Sequence, residues 1–229
     1  MIEMRRRRLI GGMALPVGLL VVATACAPGS VLTPGDRRGR SESAGVVHSS
    51  APTGSLGAAR RLLRLEDLPP GYSRIARPSG NAKATPCAKL KPSPINTAHT
   101  SSADVQYNGP GYGSAVAESL TIGPIADSKR YMLRLHTLTR ECSTVSAVIL
   151  GTPVKLTFTP LTFPHIGDDS RAYSLVVSTS SQDQTLTDFV VIREGGILIF
   201  LLVITPDGID AAFVRSLAIK AAQRASGSG

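Results

Sequence analysis

The chain has 229 residues, 42% of them hydrophobic and 18% charged, with a mean hydropathy of +0.11. That is enough for one globular domain with chain to spare, and it is not the composition of a disordered protein. The formal net charge of +9 invites an acidic partner such as nucleic acid or an anionic membrane, so where the charges lie matters. Three cysteines, at 26, 87 and 142, are too few for a disulfide scaffold and form no CxxC pair of the kind that holds zinc.

The first 25 residues read as an export signal: Arg5 to Arg8, then an apolar run from Leu9 to Ala25 that is 17 residues long. A bilayer-spanning helix needs about 20, so a signal fits better than a permanent anchor. Ala23-Thr24-Ala25-Cys26 resembles the lipobox of bacterial lipoproteins, with Ala23 where Leu or Val is usual. The resemblance implies that Cys26 carries diacylglycerol on sulfur and becomes the mature N-terminus. The alternative is cleavage after Ala25, leaving a free thiol. Residues 26 to 61 are Pro, Gly, Ser, Ala and Thr with five arginines and almost no large apolar residue, a composition that cannot offset its ordering entropy. They are expected to form a tether with a net charge of +3, leaving only +3 on residues 62 to 229. That domain shows no nucleic-acid module, and an exported location makes nucleic acid a poor partner.

Within 62 to 229, Leu62 to Leu68 predict a short helical turn stopped by Pro69-Pro70-Gly71, and 73 to 100 read as irregular. Residues 103 to 108 and 114 to 122 predict a hairpin. Ile125, Met132, Leu135 and Cys142 recur at helical spacing, predicting an amphipathic helix over 125 to 142. Alternation predicts strands over 154 to 158 and 173 to 177. The runs 186 to 193 and 197 to 204, joined through Gly195-Gly196, predict a further hairpin. Ile197 to Ile204 is apolar without a break, too short to span a membrane, and reads as a central strand. A closing helix is expected over 209 to 223, with a frayed tail. The expected fold is α+β, a mainly antiparallel sheet of about six strands with two helices packed on one face.

In an exported chain Cys87 and Cys142 are expected to pair across a 55-residue loop, for about 4 kcal/mol in the chain-entropy estimate. Two separately buried thiols are the alternative. The order of these features resembles a family of actinobacterial lipoproteins whose domain is similar to the extracellular sensor domain of the mycobacterial serine/threonine kinase PknH. The residues that carry it are Cys26, the tether, Arg140-Glu141-Cys142, Gly167-Asp168-Asp169-Ser170-Arg171-Ala172, a strand pair and a closing helix. The resemblance covers about 60 to 225 and implies a non-catalytic binding or sensing module on the extracytoplasmic face of the cell membrane, with a disulfide at Cys142 for which Cys87 is the available partner. No cofactor is implied.

For catalysis, the four histidines have no paired-ligand spacing, and there is no GxSxG, SxxK or phosphate loop. His165 with Asp168 and Asp169 could build an acid/base or cation site, although adjacent aspartates in a glycine loop more often cap turns. Tyr72, Tyr107 and Tyr112, beside Pro/Gly loops, are candidate ligand contacts or loop-packing anchors. Three readings follow: an anchored module that binds a small molecule, lipid or envelope protein; a lipid carrier with an apolar cavity; and an envelope hydrolase with a loop-built site.

Overall fold

The structure, a computed structural model, describes residues 56–76, 83–84, 101–110, 113–149, 151–179, 184–205 and 210–227, with the backbone alone at 83–84. Helix α1 (Leu56–Ala59), a 3-10 turn (Leu65–Asp67), β1 (Ser73–Ile75) and β2 (Lys83–Ala84) precede the hairpin β3 (Ser101–Asn108) and β4 (Ala115–Ile122). Helix α2 (Ile125–Glu141) follows, then β5 (Thr144–Ile149), β6 (Thr152–Leu161), β7 (Asp169–Ser178), β8 (Gln184–Glu194), β9 (Ile197–Ile204) and α3 (Ala211–Ser226). The nine strands form one sheet in the order β1-β3-β4-β9-β8-β7-β6-β5-β2, and every pairing is antiparallel. β9 is central, as its unbroken apolar run predicts.

Among the described residues nine strands rather than six arise, because β1, β2 and β5 are short or weakly patterned. Thr144–Ile149 alternates Val145, Ala147 and Ile149 with small polar residues and follows directly on α2. β1 and β2, expected to be irregular, are edge strands held by pairing to β3 and β5. The expectation of two helices on one face is overturned. Val116, Leu120, Val190, Ile192, Ile199 and Leu201 point to one face, where α1, Leu62, Leu63 and α3 complete a core. Met132 and Leu135 of α2 pack on the other, against Leu156, Phe158, Tyr173, Phe189 and Phe200. The physical reason lies in the central strands: β8 and β9 are apolar at consecutive positions, so both faces need cover and each takes its own helix.

The turns between elements are set by glycine. Gly195 and Gly196 close the β8–β9 hairpin, with Gly195 at φ +58. Gly196 lies against Gly123, whose N–H donates to the Gly196 carbonyl at 2.9 Å. Ser128 Oγ donates to the Gly195 carbonyl at 2.8 Å, so the first turn of α2 is tied to the hairpin tip. Helix α3 starts on Asp210, whose side chain accepts from the Phe213 N–H at 3.0 Å. It runs past the expected end at 223 because Ala225 is fully buried and Gly227, at φ +79, terminates it. Helix α1 falls within the residues expected to form the tether, and the buried Ala58 makes it part of the folded unit. The export segment, the tether to residue 55, Cys26, Cys87 and Tyr112 lie outside the described residues. Among the described residues no helix is long and apolar enough to cross a membrane.

Candidate functional site

Strand β4 carries one charged residue, Glu118, between Val105 of β3 and Leu201 of β9. Strand alternation puts it on the face of Val116 and Leu120, and its side chain is fully buried. A carboxyl taken out of water needs a hydrogen bond there. The segment after α1 supplies one: the Leu63 N–H donates to Glu118 Oε2 at 2.6 Å. From β3, Tyr107 Oη donates to the Leu63 carbonyl at 2.8 Å. Both backbone groups of one leucine are therefore held by side chains of the sheet, while Leu62, Leu63 and Leu68 fill the apolar surroundings. Burial pushes Glu118 up to about 8, against the lowering effect of the Leu63 N–H, and pushes Tyr107 up to about 12. Among the described residues Glu118 Oε1 has no hydrogen-bond partner.

The same segment is fastened to α3. Arg224 donates through Nε and Nη2 to Asp67, with Nη2 3.0 Å from Asp67 Oδ1 and 3.0 Å from Glu66 Oε1. Lys220 Nζ donates to the Asp67 carbonyl at 2.6 Å, Arg61 Nη1 donates to the Ala225 carbonyl, and the Arg64 N–H donates to Asp67 Oδ2 at 2.7 Å. Burial works to raise the Asp67 carboxyl, but the bonds from Arg224 and Arg64 outweigh it and hold Asp67 below its ordinary value. The short 3-10 turn exists for this fastening. It places Glu66 and Asp67 together under one guanidinium.

A second buried acid, Asp188, sits on β8 on the same face, opposite Val203 of β9 and Ser174 of β7. It is 2% exposed, its Oδ1 has no hydrogen-bond partner among the described residues, and burial pushes it up to about 6. Beyond Asp188 no described helix packs on this face: Leu186 and Val148 are exposed, and Ser174, Val176 and Thr157 are half-buried.

The residues expected from sequence are not gathered in one place. Tyr107 is a buried anchor of the Leu63 carbonyl. Tyr72 packs on Phe213 of α3, ring centroids 6.1 Å apart. Asp168 accepts from Arg193 Nη1 at 2.6 Å and from the Gly195 N–H at 2.9 Å, and its own N–H donates to the Arg193 carbonyl. The Gly195 N–H foremost, with Arg193, holds Asp168 below its ordinary value. It clamps the tip of the β8–β9 hairpin, while His165 is exposed in the preceding loop. Cys142 is buried at the end of α2 and is disulfide-bonded. Among the described residues no three His, Cys, Asp or Glu are grouped to hold a metal ion. Sequence reasoning missed Glu118, although an acid alone in a strand of Ala, Val, Ser and Leu is a visible signal. It also missed Arg224, which looks like any basic residue in a last helical turn.

Comparison with solved structures finds two matches. The extracellular domain of PknH from Mycobacterium tuberculosis superposes with a TM-score of 0.52 at 11% identity, over 77% of this chain and 98% of that one. This chain has the fold of the PknH extracellular domain. A putative uncharacterized protein, an Rv0999 ortholog from Mycobacterium smegmatis, matches with a TM-score of 0.39 at 12% identity, over 70% of this chain and 92% of the other. No family model and no curated protein matches the sequence. In this PknH-like fold the polar centre lies where the N-terminal segment enters, held from the sheet by Glu118 and Tyr107 and from α3 by Arg224.

Proposed function

We propose that the chain is a lipid-anchored module on the extracytoplasmic face of the cell membrane, binding or sensing a small molecule, lipid or envelope protein without catalysing a reaction. The observation that carries this is the fold shared with a domain that is itself the extracellular part of PknH. The N-terminal sequence supports the same reading: Arg5 to Arg8, the apolar run and Cys26 make an export signal with an acylation site. Asp168, the acid of the hydrolase reading, is already committed to Arg193 and Gly195. We assign Cys87 as the disulfide partner of Cys142, with Cys26 taken by lipid.

The test is fractionation of an actinobacterial host that expresses the full chain. Wild type should follow the membrane through a high-salt wash, and Cys26→Ala should move to the soluble exported fraction. Cys26→Ala remaining with the membrane would overturn lipidation as the anchor. Non-reducing peptide mapping of the same material should join the peptides of Cys87 and Cys142, and free thiols at both would overturn the pairing.

A further inference from the structure

We propose that residues 58 to 68, by which the tether enters the folded unit, form a pH-dependent latch whose catch is the buried Glu118 carboxyl. The geometry is that of a catch. Leu63 is held at both its N–H and its carbonyl by side chains of β4 and β3, and among the described residues no backbone partner duplicates either bond. On this sheet face α1 lies against β3 and β4 and α3 against β8 and β9, and Leu62 and Leu63 belong to the core they enclose. Lifting this segment removes the hydrogen bond to Glu118 and brings water to the carboxyl.

The docked and released states hold the Glu118 proton differently. Docked, the carboxyl is buried without a countercharge of its own and keeps its proton up to about pH 8; released, it ionises like an ordinary glutamate. The charged and titratable groups around it do not cancel this. Tyr107 faces it from β3 and stays neutral. Asp67, from the 3-10 turn, opposes its ionisation, and Arg224, from α3, favours it but is spent on Asp67 and Glu66. The neighbours in register, Val105 and Leu201, are apolar. A proton held more tightly in one state shifts the equilibrium toward the other as pH rises, tenfold per pH unit between the two titrations. Rising pH therefore releases the latch. Release adds eleven residues to the tether, a reach of up to about 36 Å, and uncovers the apolar face beneath Leu62 and Leu63 for a partner. The latch operates whether or not Cys26 is acylated, and it goes beyond the anchoring reading.

Hydrogen exchange of the full chain in detergent micelles, between pH 6 and 8 and corrected for intrinsic exchange rates, tests it. In the wild type, protection of 58 to 68 should fall about 50-fold over those two pH units, the slope easing as pH nears the docked titration, while β9 stays protected. In Glu118→Gln, which keeps an acceptor for Leu63 but cannot ionise, protection of 58 to 68 should be flat. An equal pH slope in Glu118→Gln, or loss of protection in β9 together with the latch, would overturn the proposal. Tyr107→Phe covers the case in which Glu118→Gln does not fold. It removes only the Leu63 carbonyl's donor, so latch protection should drop several-fold at every pH with the slope kept; a flat profile in that variant counts against the catch.

Discussion

Gly196 decides whether α2 and the β8–β9 hairpin tip can meet, and Gly196→Ala tests that contact. A Cβ built at Gly196 would lie 2.1 Å from the Gly123 carbonyl oxygen, which is backbone and cannot rotate away. An ordinary carbon to oxygen approach is at least about 3.3 Å, so the two backbones must part by more than about 1 Å. That separation breaks the Gly123 N–H to Gly196 carbonyl bond, for about 1 kcal/mol, and adds the strain of overpacking, for about 1–3 kcal/mol. The expected cost is about 2–4 kcal/mol. Gly195, next in the chain, is the control: its φ of +58 suits asparagine and its Cβ meets nothing, so Gly195→Asn should cost less than about 1 kcal/mol. Urea unfolding followed by circular dichroism measures both, with the slope unchanged and the midpoint lowered in Gly196→Ala alone. Gly196→Ala within about 0.5 kcal/mol of wild type, or Gly195→Asn equally damaging, would refute the reasoning.

Two further substitutions report on Asp188 of the sheet and on Asp67 of the 3-10 turn. Asp188 has its folded value raised to about 6, so the stability it permits is full below its unfolded value and falls as pH rises through 6. Asp188→Asn should therefore overtake wild type with rising pH and lead it by about 1–3 kcal/mol at pH 7.5, after allowance for screening; parallel stability curves from pH 4 to 7 would show that the carboxyl is not desolvated. Arg224→Ala should cost about 1–3 kcal/mol at pH 7, because Asp67 loses its guanidinium and Glu66 with it. Since the folded value of Asp67 is lowered, that contribution exists above the ordinary carboxylate value and vanishes as pH falls through the folded one. Urea midpoints at pH 7 and pH 3 should converge for the two proteins, and an undiminished gap at pH 3 would assign the effect to packing of the Arg224 stem instead.

Where a pattern is local, the sequence sufficed. The β8–β9 hairpin was expected at 186 to 193 and 197 to 204 and stands at 184–194 and 197–204. Helix α2 was expected over 125 to 142 and runs from Ile125 to Glu141. Both signals lie in side-chain period and glycine placement, which act between residues a few positions apart. Strand β5 was missed because its alternation uses alanine and serine beside valine and isoleucine. β1 and β2 are too short for any period, and pairing to β3 and β5 alone makes them strands. Its place beside a glycine loop marks Tyr107 as a ligand contact or packing anchor; the structure makes it a donor to Leu63, a partner 44 residues away.

Composition and order by themselves placed a polar basic stretch before a near-neutral domain and made that domain α+β with an antiparallel sheet. The tertiary structure alone decided that α2 and α3 take opposite faces and that Glu118 has no access to water. It also decided that the last residues of the supposed tether belong to the fold. The reason is range. Leu63 and Glu118 are 55 residues apart, and Asp67 and Arg224 are 157 apart. A hydrogen bond across such a span leaves no periodic trace at either end, because each residue is selected by a neighbour that only the folded chain brings near.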